Sequence, residues 1–147
     1  MPPSRHPILL VDDNATDRLF VRSALEQGRV VNSIIECETA DDARRELRSQ
    51  PAVPPVLCVL DINLRGSETG IQFLRWLRQQ PGTFSTIPTI ILTGSDDAQD
   101  RAAGSDLSAL GYLQKPIAIE SLLEVVHALG LVIVTNAKTG EIEFAVG

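Results

Sequence analysis

The 147-residue chain has two cysteines, two histidines, one tryptophan and one tyrosine, and each scarcity closes off a class of chemistry. Cys37 and Cys58 stand singly inside apolar runs, without CxxC spacing. They read as small buried hydrophobes in a reducing compartment, not as a disulfide framework or a zinc site. His6 and His127 lack partners at metal-ligand spacing and read as plain surface residues. No apolar segment approaches the roughly 20 residues of a membrane span, and no charged leader with an apolar core and cleavage site opens the chain. The expectation is a cytoplasmic protein without membrane contact. Basic runs are missing too. The formal net charge is −6, without the clustered Lys and Arg that phosphate neutralisation needs, which argues against nucleic acid as a direct ligand.

What the chain does have is a series of short apolar runs that stop on polar, chemistry-bearing residues. Val56-Leu57-Cys58-Val59-Leu60 ends on Asp61, and Ile8-Leu9-Leu10-Val11 ends on Asp12 and Asp13. Apolar runs without polar alternation read as strands buried on both faces. A weaker strand over 34–37, a fourth over 89–93 and a fifth over 111–114 complete the set. Between them the spacing predicts helices. The first runs from an Asn14 cap to about residue 27, with Gly28 as its C′ stop. The second runs from Thr39 to about residue 49, and the third carries Ile71, Leu74 and Leu77 to about residue 80. A fourth, from 94 to about 108, is interrupted by Gly104 and expected to be weak, and the last has Ile119, Leu122, Leu123 and Val126 on its buried face and closes at Gly130. Strand followed by helix, five times over, predicts an α/β fold: a doubly wound five-stranded parallel sheet with right-handed crossovers.

In a sheet of order 2-1-3-4-5, strands one and three are neighbours, and ligands bind beyond the strands' carboxyl ends. That edge gathers Asp12, Asp13, Asp61, Thr93 and Lys115. Three like charges at strand spacing call for a cation, and a hard divalent ion such as Mg²⁺ suits carboxylate oxygens. Lys115 adds a mobile positive charge suited to a phosphoryl oxygen, and Thr93 a hydroxyl donor. Any one of these residues alone reads as an ordinary turn or strand end; together, at strand ends, they read as a site.

The acidic pair after ILLV, Asp61 after VLCVL, Thr93 in TIILTGS and Lys115-Pro116 in GYLQKP resemble the receiver domain of two-component response regulators, over about residues 7–130. The resemblance implies a flavodoxin-like receiver fold. It also implies that Asp61 is the phosphoacceptor for a phosphohistidine on a partner sensor histidine kinase. Asp13 and Asp61 would bind Mg²⁺ directly with the backbone carbonyl of Asn63, and Asp12 mostly through water. Lys115 and Thr93 would hold the phosphoryl oxygens, and the Lys115–Pro116 bond would be cis. Such a chain is no conventional enzyme, but it catalyses its own aspartyl phosphorylation and dephosphorylation. Movement of Thr93 would let Tyr112 rotate inward as the switch, signalling by protein–protein interaction or phosphorelay.

Three other readings share the pattern. A flavin-binding domain has this fold, but an Asp12-Asp13-Asn14 loop repels a phosphate unless a metal intervenes. A haloacid-dehalogenase-type phosphatase needs D-x-D after strand one, which is absent. A receiver-shaped dimeric interaction module that is not phosphorylated remains as the alternative.

Domain boundaries fall at 1–130 for the receiver and 131–147 for an extension. The seventeen residues after Gly130 leave no room for a DNA-binding domain, so a single-domain regulator is expected. Residues 131–134, a turn over 136–140 and the alternation over 141–146 read as a β-hairpin, with Ile142, Phe144 and Val146 on one face. An isolated hairpin is marginal in water, so this arm must dock, and the expectation is docking on a second subunit in a homodimer with exchanged arms. The extension and the PGTFSTIP connection resemble the regulators paired with bacterial phytochrome kinases, which implies a bacteriophytochrome as the kinase.

Overall fold

The structure is a computed structural model that describes residues 6–49, 53–64, 68–94 and 111–145. The helix expected over 94–108 (apart from its first residue), Val146 and part of the loop after Asn63 lie outside the described residues. Strands β1 (Ile8–Val11), β2 (Ile34–Cys37), β3 (Leu57–Asp61), β4 (Thr89–Thr93) and β5 (Gly111–Gln114) form one parallel sheet in the order β2-β1-β3-β4-β5. Helices α1 (Ala15–Gln27), α2 (Ala40–Ser49), α3 (Gly70–Arg78) and α4 (Ile119–Ala128) cover it.

The absence of polar alternation in β1, β3 and β4 has a direct cause: both faces are buried. Leu9, Val11, Cys58, Leu60 and Ile91 point to one face, against Ala43 and Leu47 of α2 and Phe73, Leu74 and Leu77 of α3. Ile8, Leu10, Leu57, Val59, Ile90 and Leu92 point to the other, against Val21 and Leu25 of α1 and Leu122 and Val126 of α4. Burial pushes both cysteine thiols up to about 12, so neither is a thiolate near neutral pH.

The helix starts follow their caps. The Asn14 side chain accepts from the Asp17 amide at 3.0 Å, and Thr39 Oγ1 accepts from the Asp42 amide at 3.0 Å. Thr69 and Gln72 form a reciprocal capping box at the start of α3. That helix ends at Arg78, two residues before the expected stop, and Pro81 leads into a 3₁₀ turn at Gly82–Thr86 that the sequence pattern did not reveal.

Gly28 differs from expectation in its reason for being glycine. Its backbone is right-handed, and the left-handed position falls on Arg29, at φ 60°. A Cβ at Gly28 would lie 2.5 Å from Ile119 Cδ1, so the glycine serves the close approach of α4 to α1.

The extension forms an antiparallel hairpin of β6 (Val132–Thr135) and β7 (Ile142–Ala145). Of the face expected to reach a second subunit, Ile142 and Phe144 dock on their own domain. Phe144 is 1% exposed among Leu25, Val126 and Leu131. The Ile142 amide donates to Arg29 O and its carbonyl accepts from the Val31 amide, both at 2.8 Å. Asn32 then clamps the Phe144 backbone, Nδ2 donating to its carbonyl at 2.9 Å and Oδ1 accepting from its amide at 2.8 Å. Burial of Phe144 and satisfied backbone bonds supply the docking energy that the isolated hairpin lacks. His6, expected on a loose surface, is half-buried with Nδ1 2.7 Å from Pro54 O, and its carbonyl accepts from Asn32.

Candidate functional site

The carboxyl ends of β1, β3, β4 and β5 converge as strand register requires, with Val11 opposite Leu60, Asp61 opposite Leu92 and Thr93 opposite Gln114. Asp12, Asp13 and Asp61 each bring a carboxylate oxygen within 4.8 Å of the others. Two of these carboxylates are fixed by the turn that follows them. Asp12 Oδ1 accepts from the Asn14 amide and Asp61 Oδ1 from the Asn63 amide, each at 3.0 Å. Asn63 itself is exposed beside Asp61.

Lys115 follows β5 directly, and its amide donates to Thr93 O at 2.8 Å, tying the ends of β4 and β5 together. The Lys115–Pro116 bond is cis, as expected. The Lys115 ammonium lies 3.2 Å from Asp61 Oδ2, 3.0 Å from Asp12 Oδ2 and 2.7 Å from Asp17 Oδ2. Thr93 is buried at the end of β4. Tyr112 stands opposite Ile91, half-buried and two register positions back from the Thr93–Gln114 pair.

Burial holds the Asp12 carboxyl above the ordinary carboxylate range. The Asn14 amide and Lys115 pull it back, and the Asp61 charge pushes it further up. Burial also works against the Lys115 charge, but its bond to Asp17 and the adjacent Asp12 and Asp61 carboxylates outweigh it, so the ammonium is held firmly protonated. Asp12 Oδ2 is fully buried and, despite lying 3.0 Å from Lys115 Nζ, has no aligned hydrogen-bond donor among the described residues. A crowded set of hard oxygen donors with one orphaned carboxylate oxygen fits a small divalent cation.

Three contributors escaped the sequence reading. Asp17, assigned there only a helix-dipole role, is the nearest of the three carboxylates to Lys115. Its partner lies 98 residues away, so no local spacing signalled the contact. Arg18 donates to the Asp12 carbonyl at 2.7 Å and pairs with Glu36 at 3.3 Å, holding α1 against the end of β2. Gly70 lets α3 start against the site: a Cβ there would lie 2.2 Å from Asp61 O.

The chain is 35% identical over 115 residues to the KDP operon transcriptional regulatory protein KdpE of Escherichia coli (strain K12), an alignment covering 78% of this chain and 47% of KdpE. The chain thus spans about half the length of that relative. Among solved structures it is similar to the bacteriophytochrome response regulator AtBRR, with a TM-score of 0.82 and 24% identity over 92% of this chain and 100% of that one. The Mn²⁺-bound form of response regulator Rcp1 is similar at a TM-score of 0.66 and 27% identity, covering 84% of this chain and 91% of that one. Residues 8–127, most of the chain, match the response regulator receiver domain, and the chain belongs to this family.

Proposed function

We propose that this chain is a phosphoacceptor switch in which Asp61 takes a phosphoryl group from the phosphohistidine of a sensor kinase. The observation that carries the reading is the convergence of three carboxylates within 4.8 Å with one ammonium 3.2 Å from Asp61. The Asn63 amide fixes one oxygen of Asp61 and orients the carboxylate. An Asp61 oxygen forms the new P–O bond as the P–N bond to the kinase histidine breaks, and the imidazole leaves. Lys115 and Thr93, at the adjoining strand ends, receive the phosphoryl oxygens. Asp12, Asp13 and Asp61, with the Asn63 carbonyl, would hold Mg²⁺, which supplies charge neutralisation for the incoming phosphoryl group. Displacement of Thr93 toward that group opens the space into which Tyr112 turns, and this rearrangement carries the signal to a protein partner or onward in a phosphorelay.

Incubation with Mg²⁺ and a small acyl-phosphate donor, followed by intact-mass measurement, tests the reading. One phosphoryl adduct on the wild type and none on Asp61→Asn is expected. An equal adduct on both variants, or none on either, contradicts it and favours a receiver-shaped interaction module.

Similarity to the bacteriophytochrome response regulator AtBRR over 92% of the chain reaches into the C-terminal extension, and this supports a bacterial phytochrome as the phosphoryl donor. A homodimer with exchanged arms is the companion reading. The bonds from Asn32 to Phe144 join residues 112 apart in sequence, so the same contacts form between two chains if the connection at Gly130 opens. Light scattering of the full chain should give twice the chain mass. A single-chain mass across the concentration range would show that the arm serves only its own domain.

A further inference from the structure

Lys115 is shared in this structure among three carboxylates, and the nearest of them lies outside the motif that defines the site. Asp17 Oδ2 accepts from Lys115 Nζ at 2.7 Å, against 3.0 Å to Asp12 and 3.2 Å to Asp61. The two residues are 98 apart in sequence, joined by the first turn of α1 facing the end of β5. Phe20 and Val21 of α1, with Leu92, Pro116 and Ile117, line the small cleft that the pair occupies. The Asp17 bond takes one donor of the ammonium, and the Asp12 and Asp61 carboxylates share its charge from 3.0 and 3.2 Å. A phosphoryl oxygen on Asp61 therefore competes with these partners for Lys115.

The three partners are not equally free to yield. Asp12 is fully buried and held by the Asn14 amide, and Asp61 is the residue that carries the phosphoryl group. The Asp17 side chain is 28% exposed and can turn to water when released. Resting on the phosphoacceptor reading above, we propose that Asp17 is a positioning residue: the resting counter-charge of Lys115, displaced when a phosphoryl oxygen takes the ammonium. It holds Lys115 at the mouth of the site and sets how strongly the unphosphorylated state is favoured. Removing its charge frees Lys115 for the phosphoryl group and also takes one negative charge from beside the metal-binding carboxylates. The two ligands should therefore respond in opposite directions.

The test measures, by calorimetry on the full chain, the affinity for Mg²⁺ alone and for beryllofluoride, a phosphoryl mimic, at saturating Mg²⁺. Asp17→Asn is expected to bind the mimic on the order of fivefold tighter and Mg²⁺ a few-fold more weakly. Asp17→Glu, which keeps the charge, should return both affinities toward wild type. Local damage to α1 would weaken both ligands together, so the opposed signs separate a counter-charge from a structural part. Asp17→Ser is the second variant should Asn at this position fail to fold. Unchanged or weakened mimic binding in the charge-removing variants, with wild type binding normally, overturns the proposal. Failure of wild type itself to bind the mimic overturns the phosphoacceptor reading and this inference with it.

Discussion

Asp12 shows at the scale of one side chain why the acidic pocket is poised for a cation. One oxygen is satisfied by the Asn14 amide, while the other is buried beside Lys115 without an aligned donor among the described residues. Its carboxyl is pushed upward mainly by burial, so a charge placed next to it is worth more than at the surface. Lys115 supplies that charge in the metal-free protein. Lys115→Met should lower metal-free stability by about 2–4 kcal/mol, because it leaves buried carboxylates uncompensated. The loss should shrink in saturating Mg²⁺, where a bound cation takes over the compensation and stabilises the folded state by mass action. Denaturant unfolding with and without Mg²⁺ checks this, and an equal loss in both conditions would deny the lysine its electrostatic part. The sequence made Asp12, Asp13, Asp61, Thr93 and Lys115 legible because each stands at, or within two residues after, the end of a predicted strand. Asp17 was read only as a helix start because its partner lies 98 residues away, and such a contact leaves no local pattern.

At the scale of elements, the site depends on how closely α3 and the hairpin approach the sheet. Gly70 opens α3 with its amide donating to Ile62 O at 3.1 Å, directly behind Asp61. A methyl group at this position meets the Asp61 carbonyl oxygen at 2.2 Å, a backbone atom that has no rotamer with which to give way. Gly70→Ala should cost about 1–3 kcal/mol of stability through overpacking and weaken Mg²⁺ binding by tilting the β3 terminus. Thermal unfolding and a metal titration together test it; lost stability with unchanged metal affinity would place Gly70 outside the site's support. Asn32 plays the corresponding part for the hairpin. Asn32→Ala strips both partners from the buried Phe144 backbone, at about 1–3 kcal/mol for each unsatisfied group. Amide exchange in β6 and β7 should rise well above that of β1 and β3, and unchanged protection would mean that Phe144 packing alone holds the arm. The hairpin strands and their turn were legible from alternation and the Asn136–Gly140 sequence. The docking site was not, because the Asn32 clamp is a polar contact between distant segments rather than a periodic pattern.

At the scale of the whole molecule, five apolar strands and their helices predicted the parallel order that brings β1, β3, β4 and β5 to one edge, and the structure has that order. The logic is general: a sheet buried on both faces keeps chemistry out of its interior and delivers it to the strand ends. Close helix approaches, such as Gly28 against Ile119, followed a different rule that emerges only once α1 and α4 lie side by side. On the proposed reading, this edge puts a phosphoryl group on one particular carboxylate, Asp61, among Asp12, Asp13, Asp17 and Asp61 around Lys115. Borohydride reduces an aspartyl phosphate to homoserine, so treatment of the donor-loaded protein followed by peptide mass mapping reports the acceptor directly. Homoserine is expected at position 61 alone, formed with Mg²⁺ and absent when the metal is chelated. Homoserine at position 12, 13 or 17, or none in folded, Mg²⁺-saturated protein exposed to donor, would contradict it.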